Sequence, residues 1–240
     1  MSDWTLHLGD CIAGLATLGD KSVDHVICDP PYDAKTDAGH VKAGGRSRVK
    51  SIGVGVLDAE SESLIARELE RITKRWILVF CADEQLGSWQ AAFRSCGRIV
   101  RDGWWRKTNG SPQFTGDRPG VPGEHIAIAH GGRSGRMKWN GGGRHAYWET
   151  NTCSGRERTE HPTQKPLDLM RMLVEDFTDP GDLVLDPFAG SGTTGVACRM
   201  LGRRFLGWEL SPTYHEIACR RLRGEEAVPN AAQPSLFGVG

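Results

Sequence analysis

Short apolar runs alternate with amphipathic stretches over most of this 240-residue chain. Seven stretches have the length and composition of strands, and they cover residues 6–10, 23–28, 76–80, 98–105, 125–130, 183–185 and 204–208. Between them, helical spacing or helix-capping residues predict helices at residues 11–18, 58–72, 84–96, 166–177, 193–201 and from 211 onward. Strands that alternate with helices predict an α/β fold with a mostly parallel sheet.

Two segments break this pattern. Residues 33–57 are rich in glycine, lysine and arginine and have little apolar periodicity. A loop of this length inside a compact domain usually has a function, so we expect a mobile loop there. Residues 104–158 hold one strand-like run and the triplet Gly141-Gly142-Gly143, which predicts an insertion of turns and loops over the sheet edge. The tail from residue 225 is expected to be loosely ordered.

Charge is balanced overall, with 30 basic and 30 acidic residues, but it is unevenly distributed. Residues 98–158 hold eleven Lys or Arg against five Asp or Glu, and residues 33–57 hold five against two. Two basic segments in a neutral chain indicate an anionic partner that meets part of the surface. No apolar run has the length of a membrane helix and the N-terminus is unlike a signal peptide, so we expect a cytoplasmic protein without a membrane partner. Seven cysteines without a C-x-x-C spacing predict reduced thiols and no metal site.

The first candidate site is Asp29-Pro30-Pro31-Tyr32, which directly follows the apolar run 23–28. Each proline fixes its own φ and biases the preceding residue towards extended geometry, so the turn is stiff at the carboxyl end of a strand. Open α/β sheets bind their ligands at that end. The turn offers the Asp29 carboxylate, a main-chain carbonyl and the flat face of Tyr32. These groups suit a planar ring with an exocyclic amine; an ordinary tight turn is the alternative interpretation.

The second candidate site is the strand–turn–helix unit at 183–201, whose turn reads Asp186-Pro187-Phe188-Ala189-Gly190-Ser191-Gly192. Its glycines let a ligand approach the backbone, and the helix N-terminus offers N–H groups. Glu209 ends the following strand, where an acid can accept hydrogen bonds from ribose hydroxyls. Together with Gly195 the turn also fits G-x-G-x-x-G. A dinucleotide, another adenosine-bearing cofactor and a turn needed only for helix packing therefore remain alternatives.

The two sites together resemble the S-adenosylmethionine-dependent amino-methyltransferases, which methylate a nucleobase amine in DNA. The order resembles the beta group of these enzymes: the catalytic turn comes first, the basic region second and the glycine turn last, with His161-Pro162-Thr163-Gln164-Lys165-Pro166 just before it. The likeness is strong over 6–32 and 161–223 and only positional between them. It implies a Rossmann-like, mostly parallel seven-stranded sheet with helices on both faces and a circularly permuted motif order. The implied parts are a catalytic half at 1–100, a target-recognition insertion at 101–160, a cofactor-binding half at 161–224 and a flexible tail at 225–240.

The resemblance also implies which residues hold S-adenosylmethionine and its product S-adenosylhomocysteine. These residues are Asp10, Cys11, Asp29, Thr163, Gln164, Lys165, Asp186, Pro187, Phe188, Ala189, Gly190, Ser191, Gly192 and Glu209. Asp10 matches the family's adenine contact, Glu209 its ribose contact, and Lys165 belongs to the segment near the methionine end. His161 is expected to be structural, and Cys28 to pack rather than to act as a nucleophile.

Asp29, Pro30, Pro31 and Tyr32 would form the catalytic turn. The Asp29 carboxylate and the Pro30 carbonyl would accept hydrogen bonds from the amine and localise its lone pair for direct attack on the methyl group. A base inside a duplex is out of reach, so it would be flipped out and stacked on Tyr32. The implied partner is double-stranded DNA. The residues assigned to contact it are Lys35, Arg46, Arg48, Lys50, Arg106, Lys107, Arg118, Arg133, Arg136, Lys138 and Arg144, with Trp139 and Trp148 beside them.

Several alternatives remain at this point. Asp rather than Ser at position 29 favours the N6 amine of adenine by the family's usual habit, with the N4 amine of cytosine as the alternative. A nicotinamide-dependent dehydrogenase leaves the turn from Asp29 to Tyr32 unexplained, and an inactive DNA-binding relative would not need that turn intact. Members of this family often form dimers, so a homodimer is a further expectation.

Overall fold

The structure, a computed structural model, describes residues 3–31, 59–110, 114–131 and 138–225. Its strands are β1 (Trp4–Leu8), β2 (His25–Cys28), β3 (Trp76–Cys81), β4 (Ile99–Lys107), β5 (Gly123–His130), β6 (Tyr147–Thr150), β7 (Leu183–Asp186) and β8 (Arg204–Glu209). Its α-helices are α1 (Cys11–Ala16), α2 (Ala59–Ile72), α3 (Asp83–Ser95), α4 (Leu167–Phe177), α5 (Thr193–Met200) and α6 (Pro212–Arg223). All eight strands form one sheet in the order β1-β8-β7-β2-β3-β5-β4-β6. Neighbours are parallel, except that β5 runs antiparallel to both β3 and β4.

Helices cover both faces of this sheet, which confirms the α/β class. Helices α4 and α5 pack on one face, where β3 contributes Leu78 and Phe80. Helices α1, α2 and α3 pack on the other face, where β3 contributes Ile77 and Val79. Alternate side chains of a strand point to opposite faces, so β3 is apolar throughout because both of its faces are covered. Within the described stretches, no helix combines the length and the apolar character needed to cross a bilayer.

The parallel strands bring the two candidate turns to one edge of the sheet. β2 and β7 are neighbours, and their register pairs Val26 with Leu185. The turns that begin at Asp29 and Pro187 therefore leave the sheet side by side. β8 pairs with β7 on its other side, which puts Glu209 at the same edge.

The sheet has eight strands rather than the seven expected from the sequence. The additional strand, β6, pairs in parallel with β4 at the edge of the sheet. Only Trp148 of its four residues is buried. A strand this short and this exposed has no alternation of apolar and polar residues that the sequence would reveal. β5 lies inside the sheet between β3 and β4, so the segment 101–160 supplies strands of the sheet as well as loops. The expected mobile loop at 33–57 and the tail from residue 226 lie outside the described residues.

Candidate active site

Both turns open onto one cavity of about 340 Å³ at the carboxyl edge of the sheet. Most of its wall comes from segments that are distant in sequence, at 9–12, 29–31, 161–165, 186–191 and 208–211. All the residues that the resemblance implied for the cofactor line this cavity, apart from Gly192. The structure therefore brings together two corners that lie more than 150 positions apart in the chain.

Gly190 and Gly192 shape the turn between β7 and α5. Both have positive φ, +52° and +77°, which glycine adopts more readily than other residues. A Cβ atom at Gly190 would lie 2.9 Å from His161 Nε2, and one at Gly192 would lie 2.9 Å from the Cβ of Ala218. The backbone N–H of Gly192 donates to the carbonyl of Ala189 at 2.7 Å and closes the turn. Conformation and space thus both require glycine at these two positions, and at Gly190 bare backbone forms part of the cavity wall.

The Glu209 carboxylate braces the glycine turn. Its Oε2 accepts a hydrogen bond from the backbone N–H of Gly190 at 2.8 Å, and its Oε1 accepts one from Ser211 at the same distance. Burial raises the pKa of Glu209, and the backbone donors oppose that effect. Each carboxylate oxygen can still accept a second hydrogen bond from a ligand.

Asp186 is a buried carboxyl group at the end of β7. Its Oδ2 accepts from the Thr194 hydroxyl at 2.6 Å, and its Oδ1 accepts from the backbone N–H of Phe188 at 3.0 Å. Burial raises its pKa to about 7, and the nearby charges of Asp29 and Glu209 act in the same direction. This part of the cavity therefore favours a positively charged ligand, which would stabilise the ionised carboxylates.

Asp29 is held by one of its oxygens and leaves the other without a partner. Its Oδ2 lies 2.6 Å from Lys165 Nζ. Its Oδ1 is buried and has no hydrogen-bond partner among the described residues. Burial raises the pKa of Asp29 to about 6; Lys165 lowers it and Glu124 raises it further. Because an unsatisfied buried acceptor is costly, Oδ1 is a natural acceptor for a ligand N–H.

Lys165 lies buried between two acids. Its Nζ is 2.6 Å from Asp29 Oδ2, 3.0 Å from Glu124 Oε2 and 4.9 Å from the centre of the Phe80 ring. The other oxygen of Glu124 lies 2.6 Å from Lys107 Nζ. Burial alone would raise the pKa of Glu124, but the two ammonium groups outweigh it and lower that pKa to about 2. Glu124 therefore stays negatively charged beside the turn at Asp29.

Sequence reasoning missed Glu124 and assigned Lys107 to DNA. Glu124 lies alone at the start of β5, so no local pattern distinguishes it from a solvated glutamate. The Lys107 side chain is only 26% exposed and pairs with Glu124, so its ammonium group is directed towards the site rather than displayed for phosphate contact.

Other residues assigned to the cofactor have structural partners as well. The Gln164 side chain donates to the carbonyl of Glu157 at 2.8 Å and accepts from the Thr159 backbone and hydroxyl, so it organises the segment before α4. Asp10 caps α1 by accepting from the backbone N–H of Ala13 at 2.9 Å. Thr163 is exposed at the cavity.

His161 and Cys28 fit the passive roles expected for them. The His161 ring lies 4.4 Å from the Tyr214 ring at the cavity wall. Burial and the nearby charge of Lys165 lower the pKa of His161 to about 4, so the ring is neutral near pH 7. Cys28 is buried, and burial raises the pKa of its thiol well above the ordinary value. Across the described residues, no cluster of His, Cys, Asp or Glu could hold a metal ion.

The remaining cations assigned to DNA that the structure describes each pair with an acid. These pairs are Arg106–Glu149, Arg118–Asp117, Lys138–Asp179 and Arg144–Asp176. Trp148 is 2% exposed and donates to Asp176 Oδ2 at 2.9 Å, so the expectation that it reads DNA is wrong; its ring belongs to the core. Trp139 is partly buried and its ring lies 6.1 Å from that of Phe177. The other assigned residues lie outside the described part of the chain: Tyr32, Lys35, Arg46, Arg48, Lys50, Arg133 and Arg136.

Known proteins resemble this chain in sequence and in fold. A family model for N6 and N4 methyltransferases, described as DNA methylase, matches residues 23–220. The chain is 30% identical over 260 residues to the Type II methyltransferase M.HinfI of Haemophilus influenzae, a match that covers 94% of this chain and 70% of that protein. The structure of the M1.HpyAVI–SAM complex matches with a TM-score of 0.69 at 28% identity, over 91% of this chain and 98% of that one. The cytosine-N4-specific PvuII DNA methyltransferase matches with a TM-score of 0.73 over 97% of this chain and 89% of that one, at 15% identity, which shows a shared fold alone.

Proposed function

Because this chain belongs to the family of N6 and N4 DNA methylases, we propose that it transfers a methyl group from S-adenosylmethionine to the N6 amine of a flipped adenine in double-stranded DNA. One observation carries the proposal: Asp29 and the glycine turn at Gly190 line the same cavity. Oδ1 of Asp29 lacks a partner among the described residues, so it is available to an amine N–H. A methyl donor on one side and an amine on the other would then meet within a single site.

The chemistry of the cavity fits S-adenosylmethionine. Asp29, Asp186 and Glu209 line it, and burial raises the pKa of all three. A sulfonium cation is therefore favoured there, because it stabilises the ionised carboxylates. When bound, the cofactor supplies a methyl group activated by its positive sulfur. We propose that Glu209 contacts the ribose of the cofactor, that Asp10 contacts its adenine, and that residues 163–165 lie near its methionine end.

The catalytic turn would make the amine nucleophilic. An exocyclic amine is a poor nucleophile because its lone pair is delocalised into the ring. Hydrogen bonds from its N–H groups to Asp29 Oδ1 and to the Pro30 carbonyl would localise that lone pair on nitrogen. The nitrogen loses one proton when it gains the methyl group, and the hydrogen bond to Asp29 Oδ1 would give that proton a path away from it. Lys165 occupies Oδ2 of Asp29, so the amine is directed to Oδ1. The side chains thus contribute alignment and electrostatics, without a covalent intermediate on the protein.

Adenine is the favoured target, with cytosine N4 as the second candidate. Asp rather than Ser at position 29 favours adenine, because adenine-specific members of the family usually have Asp there. The fold does not separate the two bases, because the PvuII enzyme, whose specificity is for cytosine N4, has the same fold. Both amines undergo the same alkylation, so the choice between them requires identification of the product.

We assign double-stranded DNA as the partner and base flipping as the route of the target into the cavity. The cavity lies in the protein, so a stacked base would not reach Asp29 without extrusion. Arg106, Arg118 and Arg144 would exchange their present acids for phosphates when DNA binds. Lys138 does not fit this assignment, because its partner Asp179 accompanies Asp182 at the edge of the sheet opposite the cavity. Such contacts release counterions, so binding should weaken steeply as salt rises; an affinity independent of salt would contradict this assignment.

The experiment that tests the function is methyl transfer to duplex DNA followed by nucleoside analysis. The protein is incubated with labelled S-adenosylmethionine and duplexes of varied sequence, and the DNA is digested and analysed by mass spectrometry. We expect label in N6-methyl-2′-deoxyadenosine. Label in N4-methylcytosine would favour the second candidate, and DNA without label would contradict both.

A further inference from the structure

Four charged side chains form a row beside the catalytic turn, and two of them lie outside every motif. Lys107 pairs with Oε1 of Glu124 at 2.6 Å, and Oε2 of Glu124 pairs with Lys165 at 3.0 Å. Lys165 in turn pairs with Asp29 at 2.6 Å. The side chains of Glu124 and Lys165 are only 13% and 8% exposed. The charges alternate along the row, so Lys165 stabilises the two acids beside it and Glu124 stabilises the two ammonium groups beside it.

Glu124 is held in place more firmly than Lys165, because Glu124 belongs to a strand of the sheet and Lys165 lies in a turn. Glu124 is a residue of β5, and the ladder pairs it with Trp105 of β4. Its second oxygen is held by Lys107. Lys165 precedes α4 in the turn that lines the cavity, and it reaches Asp29 on a flexible four-carbon stem. Removal of Glu124 would therefore leave the ammonium group with one anchor instead of two.

We propose that Glu124 is a positioning residue of the methyl transfer: it holds the Lys165 ammonium group at Oδ2 of Asp29 and so keeps Oδ1 directed to the amine of the target base. This inference rests on the proposed function. Glu124 touches neither of the reacting groups; it acts through Lys165. Buried charged partners of this kind hold a reacting group within the small displacement that catalysis tolerates.

Glu124 also affects the ionisation of Asp29. The charged groups that face Asp29 in the described part of the chain are Lys165, Glu124 and Lys107, with Asp186 across the cavity. Glu124 raises the pKa of Asp29, whereas both lysines lower it. The ionised carboxylate of Asp29 is the stronger acceptor for the amine, so the rate should fall as Asp29 becomes protonated. Without the Glu124 charge, Lys165 still has Asp29 as its one anchor, so its lowering effect on the pKa of Asp29 persists while the raising effect of Glu124 is lost. The pKa of Asp29 therefore falls, and the acid limb of the rate profile should move to lower pH.

The test is Glu124→Gln in the full chain, assayed as single-turnover methyl transfer against pH. We expect the maximal rate to fall by about tenfold or more, because misplacement of a reacting group is costly. The acid limb should shift to lower pH, and affinities for S-adenosylhomocysteine and DNA should change by less than about threefold. Glu124→Asp keeps the charge but shortens its reach, so it should lower the rate and leave the acid limb near its wild-type position. If Glu124→Gln does not fold, the fall in rate of Glu124→Asp still tests the inference.

Asp182→Asn is the matched control. The Asp182 side chain is 15% exposed and pairs with Arg75 at 2.6 Å, but it lies at the opposite edge of the sheet. We expect this variant to lose stability while its pH profile stays that of the wild type. If both variants moved the acid limb equally, the effect would be structural and the inference would fail.

A double-mutant cycle with Lys165→Met tests the route of action. If Glu124 acts through Lys165, Glu124→Gln should cost little further rate in the Lys165→Met background. Equal losses in both backgrounds would overturn the inference, as would a wild-type rate and profile in Glu124→Gln. Absence of transfer by the wild-type protein would instead overturn the proposed function, so the two failures are distinguishable.

Discussion

Asp29→Ala is expected to abolish methyl transfer while cofactor binding stays nearly intact. The substitution removes Oδ1, the carboxylate oxygen that has no partner among the described residues and lies where the amine is proposed to bind. Lys165 keeps Glu124 as its anion in this variant, so no buried cation is left without a counter-charge. We expect the single-turnover rate to fall by about 10³-fold, as when a group that stabilises the developing charge is lost.

The measurement is transfer of labelled methyl to duplex DNA, with binding of S-adenosylhomocysteine measured by calorimetry on the same preparation. Asp29→Asn provides the matched control, because it keeps the size of the side chain and one acceptor oxygen but loses the charge. We expect its rate to lie between those of the wild type and Asp29→Ala. Asp29→Ala protein that retains more than about a tenth of the wild-type rate would remove Asp29 from the mechanism.

Glu209→Ala should have the largest effect on the cofactor. The substitution removes the acceptor for the N–H groups of both Gly190 and Ser211, so the glycine turn loses its brace. It also removes the acid assigned to the ribose hydroxyls. Hydrogen bonds to a charged group contribute about 1.5–3 kcal/mol each, so we expect affinity for S-adenosylhomocysteine to fall by about 100-fold or more.

Calorimetric titration checks this result, with Glu216→Ala as the control. Glu216 lies on α6, and its side chain is 64% exposed away from the turn. We expect the control to bind S-adenosylhomocysteine as the wild type does. If Glu209→Ala also bound with unchanged affinity, the assignment of the glycine turn to the cofactor would be wrong.

The sequence sufficed to predict how the two turns are arranged, because each prediction depended on local chemistry. A proline corner after one buried strand and a glycine turn after another are both readable over a few residues. Parallel strands then put their carboxyl ends at one edge, so the juxtaposition of Asp29 and Gly190 follows once the strands are known to be neighbours.

What the sequence did not reveal depends on contacts between distant parts of the chain. Glu124 meets Lys107 because β5 is antiparallel to β4, and it meets Lys165 because a segment about 40 residues later returns to the same edge. No window of sequence contains these three residues. Trp148 was misassigned for the same reason: its isolated indole among glycines and charges gives no sign that α4 supplies Asp176 as its partner.

The central claim is that one cavity joins a methyl donor to the amine of an extruded base, and a structure of the ternary complex tests it most directly. The complex would contain the protein, S-adenosylhomocysteine and an unmethylated duplex with the sequence that the protein methylates. We expect the exocyclic nitrogen of the flipped adenine within about 3 Å of Asp29 Oδ1, with the cofactor against the turn at Gly190. A cofactor bound away from that turn, or a target amine directed away from Asp29, would contradict the claim.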